Sequence, residues 1–182
     1  QYTVCLSSQV GCAMGCDFCA TGRLGLHRHL EAGEMGSAFR LVRDETDGRV
    51  TGAVFMGQGE PLHNYDAVIQ AARVLSHPCG GRISGRAISI STVGLVPQLL
   101  RYAREGHPYR LVLSLTSTVP ERRARLLPVA RRYGLAELAG GHLTLSAEND
   151  HVRNRRCDGI ATLRVERVDP QRHYAPAWVP SS

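Results

Sequence analysis

Lysine is missing from this chain altogether: its 22 basic residues are all arginine, set against 16 acidic ones for a net charge of +6. Arginine's planar fork matches phosphate oxygens, so the balance permits a polyanionic partner. It does not argue for one, because biased codon usage yields the same surplus of Arg, Gly and Ala. No apolar run approaches the length of a membrane span, which predicts a cytoplasmic protein with no membrane partner. No secretory leader opens the chain, so its six cysteines are not expected to form a disulfide framework. With 43% hydrophobic and 21% charged residues in 182, the composition is that of a globular domain with a sizeable core.

Three of the cysteines stand together in Gly11-Cys12-Ala13-Met14-Gly15-Cys16-Asp17-Phe18-Cys19. A zinc site would need a second ligand pair at close spacing, and only His27 and His29 lie nearby. The C-x3-C-x2-C spacing suits instead a 4Fe-4S cluster with one iron left without a protein ligand, since such a cube normally takes four cysteines. An open iron can be chelated through an amine and a carboxylate, as S-adenosylmethionine offers. A cluster electron can then cleave its sulfonium bond, which begins radical chemistry.

Strand-like and helix-like segments alternate along the chain. Strands are expected over Tyr2 to Ser8, Val50 to Met56, Arg86 to Ser91 and Arg110 to Leu115. Helices are expected over Ala32 to Glu45 (Met35, Phe39 and Val42 on one face), Asn64 to Ser76 with Asn64 as N-cap, Val96 to Arg104, and Pro120 to Leu127. The fold class is therefore α/β: a parallel sheet or partial β/α barrel of about four to five βα units, followed by an irregular C-terminal tail.

In such barrels the functional residues sit at the C-terminal ends of the strands. Four polar or glycine-rich motifs fall there: the cysteine loop, Gly57-Gln58-Gly59-Glu60-Pro61, Ser91-Thr92-Val93-Gly94 and Ser114-Leu115-Thr116. Glycines let backbone approach a ligand closely, and Glu60 can receive the ammonium group of a bound amino acid. Ser91 and Ser114 can bond its carboxylate or ribose. Cys5, read from the residues alone, is a small buried hydrophobe on a strand.

The stretches Cys5-Leu6-Ser7-Ser8-Gln9-Val10-Gly11-Cys12-Ala13-Met14-Gly15-Cys16-Asp17-Phe18-Cys19-Ala20-Thr21-Gly22, Phe55-Met56-Gly57-Gln58-Gly59-Glu60-Pro61-Leu62-His63-Asn64-Tyr65 and Ser91-Thr92-Val93-Gly94-Leu95-Val96-Pro97 resemble the radical SAM 23S rRNA adenine-C2 methyltransferases. Bacterial members of that family also modify tRNA, and C8-methylating relatives share the motifs. The resemblance implies a radical SAM barrel in which Cys12, Cys16 and Cys19 ligate the cluster. It also implies that Gly59, Glu60, Ser91, Ser114 and Leu115 line the S-adenosylmethionine site, with Thr116 where the family usually has His. It makes Cys5 the thiol that resolves a protein–RNA adduct. One S-adenosylmethionine would methylate a carrier cysteine, and a second would be cleaved to a 5'-deoxyadenosyl radical that activates that methyl for addition to the adenine ring. The implied partners are 23S rRNA, tRNA, and a reducing electron donor such as flavodoxin or ferredoxin.

The resemblance runs to about Leu138, dividing the chain into a core, residues 1–138, and a divergent tail, residues 139–182. The family's carrier cysteine lies in a C-terminal stretch like Ala-Cys-Gly-Gln-Leu, which is not found here. Cys79 reads as incidental, and Cys157 has neighbours that do not match. The family's N-terminal RNA-binding domain is also not seen, so a truncated or frame-shifted gene and a shortened relative are both expectations. Arg153, Arg155 and Arg156, with Tyr174 and Trp178, could hold phosphates and stack bases, or belong to a solvated tail. Two function classes follow: an RNA adenine methyltransferase, and a non-catalytic remnant that keeps the cluster and S-adenosylmethionine.

Overall fold

Alternation decides which face of each strand is covered. The computed structural model describes residues 1–140 together with the short strands Leu145–Ala147 and Thr162–Val165. In chain order its strands are β1 (Tyr2–Leu6), β2 (Gln9–Gly11), β3 (Leu26–His29), β4 (Val50–Phe55), β5 (Ile88–Thr92), β6 (Arg110–Ser114), β7 (Leu145–Ala147) and β8 (Thr162–Val165). The α-helices are α1 (Ala20–Arg23), α2 (Ala32–Glu45), α3 (Tyr65–Ser76), α4 (Val96–Glu105), α5 (Pro120–Leu126) and α6 (Leu135–Gly140).

Strands β1, β4, β5 and β6 pair in parallel in that order, as expected of consecutive βα units. One face carries Val4, Leu6, Ala53, Phe55, Ile88, Ile90, Leu111 and Leu113, all buried. Met35 and Phe39 of α2, Val68, Ile69 and Leu75 of α3, and Leu99 of α4 close over it to form one core. Each such side chain contributes about 1.5–3 kcal/mol by leaving water. The opposite face carries Thr3, Cys5, Ser89, Ser91 and Ser114, none of them buried.

The helices begin where local chemistry satisfies their first N–H groups. A reciprocal capping box starts α2, with the Glu34 carboxylate accepting from the Glu31 N–H at 2.8 Å. Proline stands in the first turn of α4 and α5, where its missing N–H costs nothing. Helix α4 stops at Gly106, whose left-handed φ of 65° closes the last turn.

Several expectations are corrected. Helix α2 has the expected bounds, but Val42 is 44% exposed in its last turn while Met35 and Phe39 are buried. Asn64 precedes α3 without capping it: its Nδ2 donates to the carbonyls of Ser8 at 2.8 Å and Leu30 at 2.7 Å, leaving its side chain no part in the helix start. The first strand ends at Leu6 because the N–H groups of Ser8 and Gln9 both turn to the Gln58 carbonyl. The cysteine stretch has structure of its own, unforeseen in the sequence: β2 and β3 pair antiparallel around it, enclosing α1. Nor is the sheet wholly parallel, for β8 and then β7 extend it antiparallel beyond β6. Cys157, Arg153, Arg155, Arg156, Tyr174 and Trp178 lie outside the described residues.

Phe55→Ala is expected to lower the unfolding free energy by about 3–5 kcal/mol, because the cavity it opens lies where helix and sheet meet. Val42→Ala should change it by less than about 0.5 kcal/mol. Urea unfolding of both variants checks the pair.

Candidate functional site

A cavity of about 320 Å³ opens at the C-terminal ends of the parallel strands. Cys12, Cys16 and Cys19 line it together with Gly59, Glu60, Ser91, Ser114 and Thr116. Residues from four separate motifs are thus brought to one place, as the strand-end rule predicts. Two expected site residues are not among the lining. The Leu115 side chain belongs to the core on the other face, the consequence of alternation with Ser114 and Thr116. Cys5 is exposed on β1, on the face opposite Val4 and Leu6, so it is not the buried hydrophobe its residue type suggests.

The glycines are required by close approach. A Cβ on Gly59, whose φ is +101°, would stand 2.6 Å from the Gln9 Cβ, and one on Gly57 would meet the Ser7 Oγ at 2.6 Å. Glu60 is 2% exposed. Its carboxylate accepts from the Leu62 N–H at 3.0 Å and the Val93 N–H at 2.9 Å, so it joins the loops that follow β4 and β5. The hydroxyls of Ser91 and Ser114 bond each other across neighbouring strands at 3.2 Å. Thr116 sits at φ 66° inside a three-residue turn closed by the Ser117 N–H on the Leu115 carbonyl, a strained setting for a β-branched residue.

Arg123 supports this wall from behind. It is 1% exposed and donates to the carbonyls of Leu115 at 3.0 Å, Val93 at 2.8 Å and Tyr133 at 3.4 Å. Burial holds its pKa below the usual value. Sequence reading missed it, since nothing in Glu121-Arg122-Arg123-Ala124-Arg125 marks the middle arginine. It also missed Gln9, buried beside the Gly59 loop, although its place directly after a strand end was a usable signal.

The donor set suits a cationic cluster. All three cysteines are free. Burial, then the negative charge of Cys12, Cys19 and Glu60, pushes the Cys16 thiol up to about 11. Burial is also the main cause that raises Cys12. These thiols resist ionising by themselves, and iron binding would offset that cost as it displaces their protons. Among the described residues no three His, Cys, Asp or Glu gather about a single ion. A polynuclear cluster takes its thiolates on different irons, so they need share only a cavity.

A sequence profile described as Radical SAM superfamily matches residues 6–160. The chain is 52% identical over 156 residues to a probable RNA methyltransferase of Myxococcus xanthus, covering 86% of this chain and 42% of that protein. It is 49% identical over 138 residues to the dual-specificity RNA methyltransferase RlmN of Syntrophobacter fumaroxidans, covering 75% and 40%. A crystal structure of a radical SAM methyltransferase from Sphaerobacter thermophilus superposes with a TM-score of 0.71 at 44% identity, over 77% of this chain and 42% of that one. The chain therefore spans less than half the length of these relatives.

Glu60 provides a pH test. Burial raises its pKa from 4.5 to about 7, against hydrogen bonds from Thr92, Val93 and Leu62 that pull it down. The folded chain then holds a proton that the unfolded chain has released, so stability is greatest below this window and falls as the pH rises through it. Between about pH 5 and about pH 7.5 the urea midpoint of the metal-free chain should fall relative to that of Glu60→Gln, the difference isolating this one group.

Proposed function

Because the chain belongs to the radical SAM superfamily, we propose that it forms the catalytic core of an RNA methyltransferase acting on an adenine ring carbon, C2 in the first instance. The carrying observation is that three free cysteines, the Gly59-Glu60 peptide, the Ser91–Ser114 hydroxyl pair and Thr116 face one cavity at the strand ends. In this reading Cys12, Cys16 and Cys19 hold a 4Fe-4S cluster. Gly59, Glu60, Ser91, Ser114 and Thr116 hold S-adenosylmethionine, with Leu115 contributing through its backbone. The core is residues 1–138, with β8 and β7 from the divergent remainder added at its β6 edge.

When bound, the cluster and S-adenosylmethionine supply a one-electron cleavage of a sulfonium carbon bond, the step that gives access to an sp2 carbon lacking nucleophilic character. The chain's own residues place and shield. The buried Glu60 carboxylate keeps negative potential beside the cavity, which favours an ammonium group there. The two serine hydroxyls, already facing each other, can turn their protons to a carboxylate or ribose oxygen. Thr116 holds the far lip in its strained turn. Cys5 lies on the open inner face of the sheet, where an exposed thiol can reach a base entering from that side. The proposed substrates are 23S rRNA and tRNA, and the electron donor is flavodoxin or ferredoxin. No helix among the described residues is long and apolar enough to cross a membrane.

Anaerobic reconstitution with iron and sulfide should load about four irons per chain, and Cys12→Ala, Cys16→Ala and Cys19→Ala should each abolish stable loading. Reduction with S-adenosylmethionine should then release 5'-deoxyadenosine. With RNA and the relatives' remaining segments supplied, methylated adenosine should appear. 5'-Deoxyadenosine without methylated RNA under those conditions would assign the chain to the non-catalytic class.

Cys5→Ala is expected to keep iron content and 5'-deoxyadenosine release while reducing methylated RNA by about two orders of magnitude or more. Mass spectrometry of the digested RNA reads that separation. Equal methylation in Cys5→Ala and the unaltered chain would remove Cys5 from the mechanism.

A further inference from the structure

A buried amide joins the cysteine loop to the Gly59-Glu60 loop, and its partners leave it only one arrangement of protons. Gln9 is 1% exposed, on β2 three residues before Cys12. Its Oε1 lies 2.9 Å from the Glu60 backbone nitrogen. A backbone N–H can only donate, so the amide oxygen must face Glu60 and the NH2 must face the other way. There its Nε2 lies 3.0 Å from the His29 Nδ1 and 3.2 Å from the His63 Nδ1. The two rings meet edge to face, with centroids 5.1 Å apart. Two amide protons meet two ring nitrogens, which balances only if each Nδ1 is a bare acceptor and each ring carries its proton on Nε2.

We propose that Gln9 is a positioning residue that holds the Glu60 peptide in place for the cofactor, and that it does so only while His29 and His63 are both neutral. Protonation of either ring puts an N–H opposite the amide NH2. Flipping the amide would satisfy that ring but turn NH2 toward the Glu60 N–H, leaving a donor facing a donor in a buried site. The rest of the splint is insensitive to protons: Ser7 Oγ accepts from the Gln58 N–H, and Asn64 ties the Ser8 and Leu30 carbonyls. The release is therefore local to Glu60. Both histidines are exposed beyond their contact with Gln9, and the partial desolvation of His63 lowers its pKa, which favours its neutral form. Of the other titratable groups on the surrounding elements, His27 of β3 is exposed, Asp66 of α3 pairs with Arg101 at 2.6 Å, and three more are committed elsewhere. Arg28 of β3 pairs with Glu34 at 2.7 Å and bonds the His29 carbonyl, Glu31 caps α2, and the Glu60 carboxylate is turned to Leu62 and Val93.

The inference rests on the cofactor reading only for its consequence, so the test has two arms. The first uses the full chain without cofactor, labelled with 15N-histidine, and reads ring tautomers and hydrogen exchange of the Glu60 amide at about pH 7.5 and about pH 5.5. Both rings should be the Nε2–H tautomer at the higher pH. The Glu60 amide should be protected there, and lose at least about tenfold of its protection at the lower pH, relative to the intrinsic rate. Gln9→Glu, which has no proton to donate, should convert one or both rings to a form carrying a proton on Nδ1. The second arm measures S-adenosylmethionine binding to the iron-loaded chain: Gln9→Ala should weaken it about tenfold or more with iron content unchanged. An Nδ1–H tautomer in the unaltered chain, or Glu60 protection indifferent to both pH and Gln9→Glu, would overturn the proposal. So would Gln9→Ala binding within twofold of the unaltered chain. Failure of the unaltered chain to bind cofactor would count against the cofactor reading alone and leave the first arm to decide.

Discussion

The structure depends on a two-residue period imposed on four parallel strands. Because alternate side chains leave opposite faces of a strand, one face of β1, β4, β5 and β6 could become wholly apolar while the other kept Thr3, Cys5, Ser89, Ser91 and Ser114. Helices bury the first face and leave the second for a ligand. Parallel pairing adds the other half of the constraint. Every strand ends at the same edge of the sheet, so four short motifs widely separated in sequence arrive around one cavity. An antiparallel meander of the same segments would have sent alternate motifs to opposite ends.

Hydrophobic burial fixes the sheet under its helices, but it cannot place loops to within a hydrogen bond. Buried and half-buried polar side chains do that work here by bonding to loop backbone: Glu60 to Leu62 and Val93, Gln9 to Glu60, the half-buried Asn64 to Ser8 and Leu30, and Arg123 to Leu115, Val93 and Tyr133. Among the described residues every buried side-chain nitrogen and oxygen has a partner. The charges of Glu60 and Arg123 are costly to bury, and the pKa of each shifts toward its neutral form. Hydrogen bonds run against that shift at Glu60, and the charge of Cys16 runs against it at Arg123. The outcome is a cavity wall whose geometry depends on a few desolvated groups rather than on bulk packing.

Cys12, Cys16 and Cys19 were legible in the sequence because ligand spacing within one loop is a local property. The glycine and serine motifs were legible because each closes a hydrophobic run. Leu115 was expected at the same site from the family resemblance; its side chain turns to the core, because successive side chains along and just beyond β6 leave opposite faces. Asn64 looked like a helix cap because capping is the commonest use of that residue at that position. Its amide instead spans two distant carbonyls, a choice available only once β3 and the Ser8 turn have been folded beside it.

Composition, periodicity and spacing by themselves determined the bounds of α2 and the spacing of three thiols, which follow from residues within about a dozen positions of one another, while the alternation of strand and helix along the whole core determined the α/β class and the parallel pairing of four strands. Tertiary structure alone decided that Cys5 is exposed on the inner face, that one arginine of several near-identical neighbours is buried, and that Gln9 meets Glu60, His29 and His63 at once. Those outcomes depend on which distant carbonyls, amides and rings the fold brings within hydrogen-bonding distance, and no local pattern in the chain encodes that distance.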